Sequence, residues 1–209
     1  MKTYVPFSPD NPKTRLSDVL TEDERLGFVY ACLEDVCAAI DSAGGEPVVL
    51  STEKLGGRSE AADEYGTLIR DEPLTPAVNA VLGEETSPVA VVVADLPLVT
   101  PDALRRLYEP DAGFAVAPGR GGGTNAFVIR DTRFRVDYHG TSFADHVESA
   151  RGLGCDVEVI DSFRLSTDAD ERADLVEVLL HGEGQAARFV SERLELVEDD
   201  ERRVKLRRR

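Results

Sequence analysis

The chain is poor in the residues that several common chemistries need. Cys32, Cys37 and Cys155 form no Cys-x-x-Cys pair, and the first two fall inside a helical pattern. They are expected as small buried side chains in a reducing compartment, not as metal ligands or a disulfide. Histidine occurs only three times, without metal-ligand spacing, and no Ser/His/Asp order supports hydrolysis. No apolar run approaches the length of a membrane span, and Met1-Lys2-Thr3-Tyr4-Val5-Pro6 lacks the apolar stretch of a signal peptide. A cytoplasmic protein with no membrane partner is expected. No Pro/Gly/Ser-rich linker divides the 209 residues, so one domain over 1–209 is expected. Cations are scarce, 24 against 40 acids, for a formal net charge of −16. That balance excludes a general nucleic-acid binder, which needs a basic face. Acidic runs such as Glu22-Asp23-Glu24 and residues 168–174 suggest solubility through charge in a salt-rich interior, where self-repulsion is screened.

What the chain does have centres on residues 87–107. Residues 89–94, Val-Ala-Val-Val-Val-Ala, read as a strand buried on both faces of a parallel sheet. The run stops at Asp95, and Thr100-Pro101-Asp102 then supplies a helix start. A carboxylate at the carboxyl end of such a strand lies where open α/β sheets bind ligands. It is either a turn residue or a ligand for a hard divalent cation such as Mg2+. The second reading requires another carboxylate and a phosphate-holding element.

The remaining chain offers candidates for both. Residues 3–7 read as a first strand, followed by a Pro/Asn/Asp/Ser loop carrying Lys13 and Arg15, which could neutralise a triphosphate or simply be solvated. Thr21-Glu22-Asp23-Glu24 is a capping box ahead of a helix with Leu26, Val29, Leu33, Val36 and Ile40 on its apolar stripe, ending at Gly44-Gly45. Strands are expected at 46–52 and 67–70, with an irregular or partly helical connection at 56–66. A short helix at 73–82 carries Asn79, which could face a nucleotide base or solvent. Strands at 114–118 and 126–130 flank the loop Gly119-Arg120-Gly121-Gly122-Gly123-Thr124-Asn125, whose glycines either let amides face an anion or make an ordinary flexible hairpin connection.

Ser142, with Asp145 three residues on, reads as the cap of a helix running to about 153, and a helix start preceded by Gly140 also suits a phosphate or carboxylate. His146 reads as a surface or packing residue. A further strand is expected at 155–161. Asp168 and Asp170 either cap the helix that follows or, alternating in extended chain, face one cation. Leu194, Leu196, Val204 and Leu206 alternate with charges and suggest a β-hairpin over 193–207, here taken as a homodimer contact or a solvated edge.

Five motifs together resemble a known family: Lys-Thr-Arg-Leu-Ser at 13–17, Ala-Asp-Leu-Pro-Leu at 94–98, Gly-Gly-Thr-Asn-Ala at 122–126, Gly-Thr-Ser-Phe at 140–143 and Thr-Asp-Ala-Asp at 167–170. The chain is similar to the 2-phospho-L-lactate guanylyltransferases of deazaflavin coenzyme F-420 biosynthesis, from the first strand to about residue 190. The resemblance implies a three-layer α/β/α nucleotidyltransferase fold, Rossmann-like, with a mixed sheet and akin to nucleotide-diphospho-sugar transferases. It implies condensation of GTP with 2-phospho-L-lactate, releasing pyrophosphate, with phosphoenolpyruvate or 3-phosphoglycerate as the acceptors of related enzymes. It also implies Mg2+ as cofactor, held by Asp95 and Asp170 with Asp168 as a further partner. Lys13 and Arg15 would then balance the nucleotide's phosphates beside Asp95, and Thr124, Asn125, Gly140 and Ser142 would cradle the acceptor. Ala169 and Arg172 depart from the family pattern, which has a larger apolar residue and often proline there. Two other classes remain open: a glycosyltransferase on a related fold, and a non-catalytic nucleotide-binding regulatory protein.

Overall fold

The structure is a computed structural model that describes residues 1–55, 57–86, 88–198 and 202–209. Gly56 and Ser87, which open two of the segments read above, and the acidic residues 199–201 of the expected tail hairpin lie outside the described residues.

Seven strands form one twisted sheet in the order β3-β2-β1-β4-β6-β5-β7. They are β1 (Lys2–Phe7), β2 (Glu46–Ser51), β3 (Thr67–Ile69), β4 (Val89–Val92), β5 (Phe114–Pro118), β6 (Thr124–Ile129) and β7 (Val157–Val159). β6 runs antiparallel to β4 and β5, and the other pairings are parallel. The uninterrupted apolar run of β4 is explained by its position: helices cover both faces, and all four of its residues are buried. Alternate side chains sort cleanly. Val5, Val49, Ala90 and Val92 pack with α1 (Glu22–Ser42) and α4 (Pro101–Tyr108). Tyr4, Leu50, Val89 and Val91 pack with α3 (Leu74–Glu84) and α5 (Ser142–Gly152), around Phe114, Phe127 and Phe134, whose rings lie 4.8–5.8 Å apart. This is the three-layer α/β/α arrangement with a mixed sheet.

A further cluster lies beyond α1. Its stripe of Val29, Leu33, Val36 and Ile40 faces the sheet, while Phe28 and Cys32 pack against α7 (Arg172–His181) and α8 (Gln185–Ser191). α1 is therefore buried on two sides, and α8 had no counterpart in the sequence reading. The tail strands β8 (Leu194–Glu198) and β9 (Val204–Arg208) pair antiparallel and bury Leu194 and Leu206 in the same cluster. Arg208 donates to both carboxylate oxygens of Glu24 at 2.9 Å, so the capping box that starts α1 also anchors the tail. Arg208 and the Thr21 cap together hold the Glu24 carboxyl down at about 2.

Three local expectations are corrected. Ser142 is the first residue of α5 and not its cap; Thr141 holds the cap position without a side-chain bond, and Ser142 is buried with its hydroxyl on Thr124. Asp168 and Asp170 do not cap α7, because Glu171 and Asp174 form that capping box. Thr124 and Asn125 are buried residues of β6, not the end of an open loop.

Candidate active site

The sheet's direction of winding reverses between β1 and β4: β2 and β3 lie on one side of β1, and β4 and its successors lie on the other. Ligands bind open α/β sheets in the crevice that such a switch point leaves at the strands' carboxyl ends. The loop after β1 enters it carrying Lys13 in the left-handed region, φ 52° and ψ 45°. A side chain there costs on the order of 1 kcal/mol, and the surrounding structure must hold it. Buried Arg25 of α1 does so, donating through Nε to the Pro12 carbonyl at 3.1 Å and through Nη1 to the Leu20 carbonyl at 3.3 Å.

Lys13 is thereby aimed between two carboxylates. Its Nζ lies 2.6 Å from Oδ2 of Asp95 and also donates to Oδ1 of Asp170. Its side chain is only 9% exposed. Burial pushes the pKa of its ammonium down, but the Asp95 and Asp170 charges outweigh that and hold it above the ordinary lysine value. The solvated-loop reading of Lys13 is thus set aside. Arg15 is 70% exposed, with its guanidinium 4.0 Å from Asp170, and is free to reach an anion at the rim.

The two carboxylates are brought together by backbone. The Ala169 amide donates to the Asp95 carbonyl at 3.1 Å, lacing the segment before α7 to the end of β4. Asp174 then accepts the amides of Asp170 and Glu171 at 3.0 and 2.7 Å, and Arg120 of the glycine loop bonds to Asp174 in turn. Asp168 points elsewhere. It accepts the Asn125 side-chain amide at 3.1 Å; burial raises its pKa, the Asn125 bond offsets part of that, and the nearby Asp95 charge adds to it. Among the described residues no group of three His, Cys, Asp or Glu side chains has metal-site geometry. Asp95 and Asp170 nonetheless converge on one positive charge, the Lys13 ammonium. Two such oxygen donors suit Mg2+, which commonly takes one or two carboxylates beside substrate phosphates.

A cleft of about 370 Å³ opens beside these three residues. Its walls are mainly apolar, and it extends to Leu50, Thr52, Arg70, Glu72 and Leu74, past the ends of β2 and β3.

The chain matches the family model described as "Guanylyl transferase CofC like" over residues 1–209. It is 54% identical over 187 residues to the 2-phospho-L-lactate guanylyltransferase of Halomicrobium mukohataei, covering 90% of this chain and 89% of that one. It is 48% identical over 220 aligned positions to that of Halorubrum lacusprofundi, covering all of both chains. The chain belongs to the CofC-like guanylyl transferase family. Its fold is similar to that of a protein from Desulfovibrio desulfuricans G20 described as a nucleotide-diphospho-sugar transferase, at a TM-score of 0.72 and 14% identity over 91% of this chain and 94% of that one.

The other motif residues of this CofC-like chain fall into two groups. Around the glycine loop, the amides of Gly119, Arg120 and Gly122 are already bonded to the carbonyls of Gly123, Ser166 and Gly119. Those three amides are therefore not available to the anion cradle expected from the sequence. Gly119 instead permits close packing, since a Cβ there would sit 2.5 Å from the Asn125 side chain, and Gly122 has φ +88°. The Phe143 amide donates to the Gly122 carbonyl at 3.1 Å, bringing Gly140 and Ser142 beside Thr124. Asn125 is committed to the Leu165 carbonyl at 3.0 Å and to Asp168.

Asn79 is not brought to the cleft. Its amide donates to the Val136 carbonyl at 2.9 Å and accepts the Val136 amide at 2.8 Å, fastening α3 to the segment before α5. Sequence reasoning also passed over Glu72, although it follows the carboxyl end of β3 as Asp95 follows β4. Attention to the residues after every parallel strand would have found it. His146 is buried, not at the surface, and bonds to Thr124.

Proposed function

We propose that this protein transfers the guanylyl group of GTP to the phosphate of 2-phospho-L-lactate, forming lactyl-2-diphospho-5′-guanosine and pyrophosphate in coenzyme F-420 biosynthesis. The observation that carries the reading is the placement of Lys13, Asp95 and Asp170 at the switch point, at one end of a nucleotide-sized cleft. Family membership supplies the reaction class, and the relatives' names supply the acceptor.

The chemistry is one of like charges brought together. An acceptor phosphate oxygen attacks the α-phosphorus of GTP in line, the bond to the bridging oxygen breaks, and pyrophosphate leaves. A phosphate monoester is ionised at neutral pH, so no general base is needed. The work is positioning and charge neutralisation. Lys13 and Arg15 balance the phosphates. Mg2+ on Asp95 and Asp170 would supply further neutralisation and orientation of the triphosphate. Thr124, Asn125, Ser142 and the Gly140 turn receive the acceptor, with Thr124 and Ser142 held together by their hydroxyls and Asn125 held by Asp168. The tail hairpin, whose Val204 is left exposed beyond the buried Leu206, is the surface through which this reading pairs two copies; sedimentation velocity checks it, and a monomer at every concentration removes that part.

The deciding experiment follows pyrophosphate release from GTP with Mg2+ and 2-phospho-L-lactate, coupled to a pyrophosphatase because the reaction reverses. Phosphoenolpyruvate, 3-phosphoglycerate and a no-acceptor control run in parallel. Release dependent on phospholactate is expected. Release only with another acceptor renames the substrate, and silence in a folded protein that binds GTP indicates a regulatory role. A glycosyltransferase would instead release a nucleoside phosphate from a nucleotide sugar.

A further inference from the structure

The far end of the cleft carries a carboxylate that charge balance at the phosphates does not use. The Arg70 amide donates to the Ser51 carbonyl at 2.9 Å, fixing the start of the 70–73 loop beside the end of β2. Glu72 and Leu74 line the cleft from there. The cleft thus runs from Asp95 after β4, past β1 and β2, to Glu72 after β3. That is three strand spacings, roughly 14 Å, and matches the reach of a nucleotide with its phosphates at Lys13. Leu50, Leu74 and Ala77 supply apolar surface at the Glu72 end, and Leu74 is left 42% exposed there. Such a surface suits the face of a purine.

The charged side chains of the lining are not equivalent. Lys13, Asp95 and Asp170 engage one another, and Arg70 is held by Glu84 at 2.8 and 3.0 Å. Glu72 alone has no hydrogen bond or ion pair among the described residues. An ionised carboxylate only accepts. Guanine's pairing edge offers two adjacent donors, N1–H and the exocyclic N2–H, whereas adenine offers a lone pair at N1 and a donor only at N6.

We propose that Glu72 reads the guanine base, accepting N1–H and N2–H together and repelling the N1 lone pair of adenine. The proposal rests on the guanylyl-transfer reading for its nucleotide and adds the group that selects it.

The test is equilibrium binding of GTP, ITP and ATP, without acceptor, to the wild-type protein and to Glu72→Gln. ITP keeps N1–H and lacks the N2 amine. Wild-type protein is expected to bind ITP about tenfold more weakly than GTP, and ATP more weakly still. Glu72→Gln is expected to lose about 10- to 100-fold for GTP and to bring the GTP:ITP ratio toward one. It should also gain on ATP, because an amide offers the donor and acceptor that the adenine edge matches. Unchanged GTP:ITP:ATP ratios in Glu72→Gln, and again in Glu72→Ala, overturn the assignment. The two readings fail separately: selective GTP binding lost on Glu72→Gln, with no transfer to any acceptor, keeps Glu72 and removes transfer. Normal transfer with unchanged base ratios does the reverse.

Discussion

Nδ1 of His146 lies 2.8 Å from Oγ1 of Thr124, while its Nε2 accepts the Asp137 amide at 2.9 Å. The second bond fixes the tautomer. Nε2 carries the lone pair, so Nδ1 holds the proton and donates to Thr124. Ser142 also donates to Thr124, at 3.4 Å, so the Thr124 hydroxyl keeps its own hydrogen for a further acceptor. On the proposed reaction that acceptor is an oxygen of the incoming phospholactate. His146→Phe should therefore raise the KM for phospholactate about tenfold, the cost of one misdirected hydrogen bond, with the KM for GTP unchanged. If both constants hold while the Tm falls, His146 is only a packing group.

Burial lowers the pKa of His146 below its usual 6.5; Asp137 and Asp145 nearby favour the charged ring, and His139 opposes it. The folded pKa lies below the unfolded one, so the unfolded chain takes up more protons in the interval between them. The neutral ring's contribution is full above pH ~6.5 and is lost as the pH falls below it, until the folded pKa is passed. Urea midpoints measured from about pH 5 to pH 8 should decline on the acid side in wild type and stay flatter in His146→Gln. Parallel curves would show that other groups carry the acid sensitivity.

Asp95→Asn should cut turnover by about two to four orders of magnitude, the scale of losing a key electrostatic contact to a transition state. Asp170→Asn should follow it, and Asp168→Asn should do much less, because only Asp170 shares Lys13 with Asp95. Near-normal turnover with intact Mg2+ dependence in Asp95→Asn would reject it as a metal ligand. A larger loss in Asp168→Asn than in Asp170→Asn would exchange their roles.

Asn79→Ala removes both bonds to Val136 and should cost about 1–3 kcal/mol of stability, since it leaves backbone groups unpaired. Nucleotide KM should not change. A selective rise in the KM for GTP with unchanged stability would return Asn79 to the nucleotide site.

The net charge of −16 predicts salt dependence. Raising KCl screens repulsion among exposed acids, so the Tm should climb with concentration. A flat or falling curve would show that acidity is not a destabilising load in this fold.

The sequence by itself determined the α/β class, because binary pattern and end signals are local, and the resemblance to the family implied its three layers. The apolar run of β4, the Thr21-Glu24 capping box and the Thr100-Pro101 helix start each state an element within a few residues. It also placed Asp95 at a strand end, where such folds bind ligands. Motif order carried the resemblance to the family. The tertiary structure decided what each candidate faces. Asp168 and Asp170 are two residues apart and chemically identical, yet one meets Asn125 and the other Lys13. Asn79 looked free until Val136, 57 residues away, took both ends of its amide. Ser142 looked like a cap until α5 started one residue early and turned its hydroxyl to Thr124. A side chain's type is written in the chain. Its partner is set by which distant strand or helix packs against it, and in this protein Ala169 bonding to Asp95 across 74 residues brings the two carboxylates to Lys13.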